Sequence, residues 1–84
     1  MTSIKWDKKA RKFLRKLPNE ISSRIFEKTK EVKKDVRRYL ETLVGRDFYK
    51  IRIGNYRLFV DYYPEEDLLY VRAIRHRKNA YKGK

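Results

Sequence analysis

Arg52 and Arg57 are two cationic side chains that this sequence forces to face each other. Between Phe48 and Tyr63 the chain reads FYKIRIGNYRLFVDYY, two alternating runs joined at Gly54-Asn55. A two-residue Gly-Asn connection predicts a β-hairpin, because the tight turn needs positive φ. The short loop also sets the register. Ile53 then faces Tyr56, Arg52 faces Arg57, Ile51 faces Leu58, Lys50 faces Phe59 and Tyr49 faces Val60. One face gathers Tyr49, Ile51, Ile53, Tyr56, Leu58, Val60 and Tyr62, an apolar set fit for a core. The other gathers Phe48, Lys50, Arg52, Arg57, Phe59 and Asp61. Like charges set opposite each other destabilise a sheet. Folding has no use for that arrangement, whereas a site for a polyanion does.

The chemistry open to such a site is the binding of phosphate groups, whose charge clustered cations complement. The sequence offers no paired carboxylates, nucleophilic serine or Gly-rich phosphate loop for another chemistry. It has no cysteine and one histidine, so no disulfide, metal site or cofactor is expected.

Composition points the same way. The 84 residues suit a single domain, 1–84. Hydrophobic residues make up 40% of the chain, enough for one core. The 24 Lys+Arg against 11 Asp+Glu give a formal charge of +13. An excess of that size points to nucleic acid or another anionic partner. No apolar run approaches the length of a membrane span and no signal-peptide h-region is visible. The expected location is the cytoplasm.

The elements that must position these residues follow from periodicity. Residues 2–6 read as a strand, with Ile4 and Trp6 two apart, and Asp7 as N-cap. Ala10, Phe13, Leu14 and Leu17 then recur at helical spacing up to Pro18. Asn19 caps a second helix, whose stripe of Ile21, Ile25, Val32, Val36, Leu40 and Leu43 runs to a stop at Gly45. That helix has 22–25 residues and a length of roughly 35 Å. Its cations Lys28, Lys33, Lys34, Arg37 and Arg38 read as a solvated face. After the hairpin, Pro64 opens a turn into a last strand, Leu68 to about Ile74. Pairing Tyr62 with Leu69 puts Val71 opposite Val60 and Ala73 opposite Leu58. Tyr70, Arg72 and Ile74 then turn to the charged face, with Arg72 opposite Phe59. The fold class is α+β, in the order β-α-α-β-β-β. A helix hairpin packs on one face of a mostly antiparallel sheet. The bare face bears cations interleaved with rings, a pattern suited to single-stranded nucleic acid.

With the tail Arg75-His76-Arg77 and Tyr81 added, nearly all of residues 2–82 resembles the RelE/ParE toxin superfamily. The RelE branch is nearest, and its archaeal members most of all. The carriers are the N-terminal strand and helix hairpin, the run from Phe48 to Arg57, and that tail. The resemblance implies the toxin of a type II toxin–antitoxin system, a ribosome-dependent endoribonuclease that cuts mRNA in the A site and inhibits translation. It implies a RelB-type antitoxin, with the toxin as a monomer or in a heterotetramer. It places catalytic roles on Lys50, Arg52, Arg57, Arg75 and Tyr81, with Tyr81 stacking on a base, and makes His76 a candidate for acid/base work. Metal-free cleavage of that kind uses the 2′-hydroxyl as nucleophile on the adjacent phosphate and needs a base for it, charge stabilisation at phosphorus and an acid for the leaving oxygen. Arg52 and Arg57 would meet the second need. Like charges around an ammonium make it a better proton acceptor, so Lys50 is the preferred base; His76 is the alternative, because histidine titrates near neutrality without help. Arg72, Phe59, Arg77 and Lys78 are candidates for holding the rest of the strand. Position 52 is arginine here and lysine in the best-known member, which keeps the charge and loses the proton acceptor. A ParE-like gyrase inhibitor and a non-enzymatic RNA-binding module are the alternatives.

Overall fold

The structure is a computed structural model that describes residues 2–78. Its elements are β1 (Ser3–Trp6), α1 (Lys8–Lys16), α2 (Asn19–Lys34), α3 (Val36–Tyr39), β2 (Glu41–Thr42), β3 (Tyr49–Ile53), β4 (Tyr56–Tyr63) and β5 (Leu68–His76). The sheet order is β1-β5-β4-β3-β2. The pair β1–β5 is parallel and the other three are antiparallel. The helices supply Ala10, Leu14, Ile25, Val32 and Val36 to the core. The sheet supplies Ile51, Ile53, Leu58, Val60, Leu69, Val71 and Ile74. Burying each of the larger side chains stabilises the fold by about 1.5–3 kcal/mol. No helix among the described residues is long and apolar enough to cross a membrane.

The hairpin has the register expected from its turn, with Arg52 opposite Arg57 and Lys50 opposite Phe59. Gly54 takes a φ of 59°, the left-handed conformation that the two-residue connection demands. Asp7 caps α1, accepting from the Lys9 amide at 3.0 Å. Asn19 is helical and makes no cap; Pro18 precedes α2 without a side-chain hydrogen bond.

The long second helix is not formed. It stops at Lys34, because Asp35 has φ −156° and ψ 73°, and a single further turn, α3, follows. The chain then extends into β2, where Glu41 pairs with Lys50 and Thr42 with Tyr49. Edge pairing outweighs helical propensity here, since an open sheet edge leaves amide and carbonyl groups unmatched. A helix of 25 residues would also outrun the domain, whose longest extent is 32 Å. The apolar stripe is correct through Val36; Leu40 still packs against the core, from extended chain, and Leu43 is half-buried in the loop after β2. Gly45 is not a helix stop. It turns the loop before β3 with φ 73°.

The last strand departs from simple alternation. Tyr62 pairs with Leu69 and Val60 with Val71, as the alternation requires, but Phe59 pairs with Ala73. Arg72 is the extra residue of a β-bulge. Beyond it the parity flips. Ile74, expected on the charged face, lies opposite Leu58 and is fully buried. Arg75 lies opposite Arg57 and His76 opposite Tyr56. The strand continues past Ile74 to His76, and the Arg77 amide donates to the Asn55 carbonyl at 2.7 Å.

Candidate nucleic-acid interface

The helix-free face of the sheet carries a row of three arginines. Arg52 on β3, Arg57 on β4 and Arg75 on β5 are successive cross-strand partners. Adjacent strands lie about 4.8 Å apart, so the row spans roughly 10 Å. Arg57 is buried in its centre, while Arg52 and Arg75 are exposed on its flanks. At the hairpin tip Arg52, Arg57 and Arg77 line an open cleft of about 210 Å³. This concentration of guanidinium groups suits an anion carrying several oxygens, because each planar fork can donate two parallel hydrogen bonds.

The neighbouring row reads Glu41, Lys50, Phe59, Ala73 across β2 to β5. Glu41 is a member of this charged cluster that sequence reasoning missed. Its Oε1 is 3.8 Å from Lys50 Nζ and 3.4 Å from Arg52 Nε. The helical stripe ran through residues 40–43 and hid it; only the pairing of β2 with β3 brings a carboxylate into the cationic cluster. Lys50 is the more enclosed of the two cations, with 17% of its side chain exposed against 57% for Arg52.

His76 is not brought together with these groups. The flipped parity turns it to the helix side, where its ring meets Tyr56 edge-on at 5.1 Å. There it lines a cavity with Ile21, Arg24, Ile25, Ile53 and Tyr56. Its Nδ1 accepts from the Lys78 amide at 3.2 Å. Lys78 and Arg77 are exposed just beyond β5. Tyr81 lies outside the described residues.

Tyr70 and Arg72 share the charged face but differ in partner. The Tyr70 hydroxyl donates to Asp7 Oδ1, tying β5 to the cap of α1. That bond, followed by the Lys9 amide, holds the Asp7 carboxyl below its usual range; it pushes the Tyr70 hydroxyl up. Arg72 Nε donates to Asp61 Oδ2 at 2.7 Å, which raises the guanidinium further above its ordinary range. Phe59 braces Phe48 edge-on at 5.9 Å. Among the described residues, no three His, Asp or Glu side chains converge as metal ligands.

Helices on one face, an arginine row on the other and a bulged last strand make up a small α+β fold. Residues 4–81 match the model of the ParE toxin family of type II toxin–antitoxin systems, parDE, and the chain belongs to that family. Within the RelE/ParE superfamily its solved likenesses are RelE toxins. The toxin–antitoxin complex RelBE2 of Mycobacterium tuberculosis contains a chain 24% identical, at TM-score 0.80, covering 90% of this chain and 98% of that one. For the intact RelBE complex of E. coli the identity is 25% and the TM-score 0.74, with coverage of 90% and 96%. For the RelB-RelE complex of Methanococcus jannaschii the values are 26% and 0.70, with coverage of 95% and 98%. None of the curated proteins matches the sequence.

Proposed function

We propose that this toxin is a ribosome-dependent endoribonuclease that cuts mRNA by attack of a 2′-hydroxyl on the adjacent phosphate. The observation that carries this reading is the row Arg52, Arg57, Arg75, with the Lys50–Glu41 pair beside it. The row holds the scissile phosphate and the charge that develops on it, where preorganised donors contribute most. Lys50 and Glu41 handle protons at its edge. A carboxylate beside an ammonium supplies both an acceptor and a donor within one contact, which no guanidinium of the row can do. His76, on the far side of the sheet, keeps the strand end packed and takes no proton. Arg77, in the wall of the cleft, and Lys78 next to it guide the strand onward, and Tyr81 stacks on a base.

The test is cleavage of a stalled mRNA on ribosomes, read by mapping its ends. Lys50→Ala and Glu41→Gln each slow cutting by about 10²- to 10⁴-fold, the range of lost acid–base catalysis. Undiminished cutting by both variants rejects the assignment.

A second reading has one observation in its favour: the family model matched is that of ParE toxins. A ParE-like gyrase inhibitor predicts that the arginine row is dispensable. A supercoiling assay run beside the cleavage assay separates the two.

An antitoxin of RelB type is the proposed partner, as in the solved complexes of the RelE likenesses. Between α1 and α2 a groove of about 410 Å³ is lined by Leu14, Leu17 and Phe26, with Arg11 and Arg15 also in its wall. Phe26 is 44% exposed. An apolar floor with cationic walls suits an acidic amphipathic segment. Arg15→Glu is expected to weaken the complex in a titration with the antitoxin, and unchanged affinity assigns the contact elsewhere.

A further inference from the structure

We infer that Arg72 is a shelf on which one unpaired RNA base stacks, and not a phosphate clamp. The inference rests on the nucleic-acid reading of this face, and it names what the second cationic region of the face recognises.

Four observations lead to it. As the extra residue of the bulge, Arg72 has no directly opposed residue on β4, and its guanidinium reaches Asp61 on β4 and the Phe48 ring just before β3. Its guanidinium carbon lies over the Phe48 ring, 4.6 Å from the ring centre, so the cation rests on an aromatic support. Its Nε is held by the Asp61 carboxylate, which fixes the plane and balances the charge. Phe59 supports Phe48 from the side. The stack is therefore built from the sheet upward, Phe48 and then Arg72, and remains open outward: 42% of the Arg72 side chain is exposed against 16% for Asp61.

Arg72 is held more tightly by its carboxylate than Arg52 is: 2.7 Å to Asp61 against 3.4 Å from Arg52 to Glu41. A phosphate clamp gains affinity from a cation free to turn to its ligand, and the close Asp61 contact lessens that gain. What remains is a flat, fixed, polarisable plane, the surface on which bases stack in single-stranded RNA. Phe59 is two residues from Arg57 along β4, about 7 Å at strand spacing. A nucleotide whose phosphate sits in the row can thus have a neighbour whose base reaches the shelf. Purines, with the larger face, are favoured.

The experiment measures binding and not cutting. The full chain is titrated into a short labelled oligoadenylate, 2′-deoxy at each position to prevent cleavage, and into the same strand made abasic. Both are repeated over a range of salt. The parent is expected to prefer the base-bearing strand. Arg72→Ala should weaken binding to that strand by about 5- to 100-fold, the value of one lost stack. It should leave the abasic strand and the salt slope unchanged. Arg72→Lys, which keeps the charge and loses the plane, should behave like Arg72→Ala. Thermal melting of both variants confirms that they fold.

Three outcomes overturn the proposal. One is equal affinity of the parent for both strands. Another is rescue by Arg72→Lys. The third is a salt slope lowered by about one in Arg72→Ala, the mark of a lost phosphate contact. Failure of the parent to cut mRNA on ribosomes would reject the ribonuclease reading and leave the binding result standing.

Discussion

Two surfaces of this molecule are rich in cations, the outer face of α2 and the bare face of the sheet, and they are built differently. On α2, Lys28 lies 3.2 Å from Glu31 and Lys30 lies 3.4 Å from Glu27, each pair one turn apart. Lys28 and Arg38 also sit over the Tyr39 ring. Such exposed pairs are worth about 0.3 kcal/mol and keep a helix soluble. On the sheet, Arg52, Arg57 and Arg75 are placed against one another across three strands, a geometry that costs stability. A formal charge of +13 favours an anionic partner; it does not say where one would bind. The difference in pairing does. Cations spaced along one helix, each beside its own carboxylate, make a solvated face; cations set opposite one another by strand register make the proposed site.

The comparison breaks most directly at the row. Arg75→Ala is expected to lower mRNA cutting by about 10²- to 10³-fold, as loss of a preorganised donor does. Lys28→Ala and Lys30→Ala should leave it as in the parent. Equal losses on the two surfaces would remove the distinction between them. Next in size is the bulge that creates the row. Ile74→Ala should cost about 2–5 kcal/mol in urea unfolding, as a core truncation does. A cost below about 0.5 kcal/mol would return Ile74 to the surface and Arg75 to the helix side.

His76 tests the same parity from the other direction. Its position behind the sheet predicts that His76→Ala cuts mRNA at close to the parent rate, where Lys50→Ala does not. A drop as deep as that of Lys50→Ala would make the histidine the base.

The smallest expected effect concerns Tyr70 and Asp7. Asp7 is held below its ordinary value of 3.8 and Tyr70 above 10.0, chiefly by the hydrogen bond between them. A depressed carboxyl contributes stability that is present above its unfolded pKa and lost as pH falls through the folded one. A raised tyrosine contributes stability that is present below its unfolded pKa and lost as pH rises through the folded one. The parent should therefore melt above Tyr70→Phe across neutral pH, and the gap should close at both extremes. A gap that is constant with pH would show that the bond is not its source.

The hairpin was legible because everything that fixes it is local. A two-residue turn admits one register, and period-two alternation then sorts Lys50, Arg52 and Arg57 from Ile51, Ile53 and Leu58. The caps and breaks around α1 were legible for the same reason, through Asp7 and Pro18. The signal for the bulge was also present: Leu69, Val71 and Ile74 are spaced two and then three apart. An extra residue in an alternating run is what that spacing means, and an even count carried through to Ile74 passes over it. Glu41 left no such trace, because residues 36–43 continue a helical stripe.

The sequence by itself determined the apolar and charged faces of the hairpin and the opposition of Arg52 and Arg57. It also determined the first helix and the helical stripe as far as Val36. These follow from dihedral limits and periodicities that act over a few residues. Only the tertiary structure decided where the second helix ends, that Glu41 joins the cations, and that Arg75 completes the row while His76 does not. Each of those rests on a pairing between segments far apart in the chain. An open sheet edge and a half-filled core are satisfied there at the expense of local preference, and no window of the sequence contains both sides of that exchange.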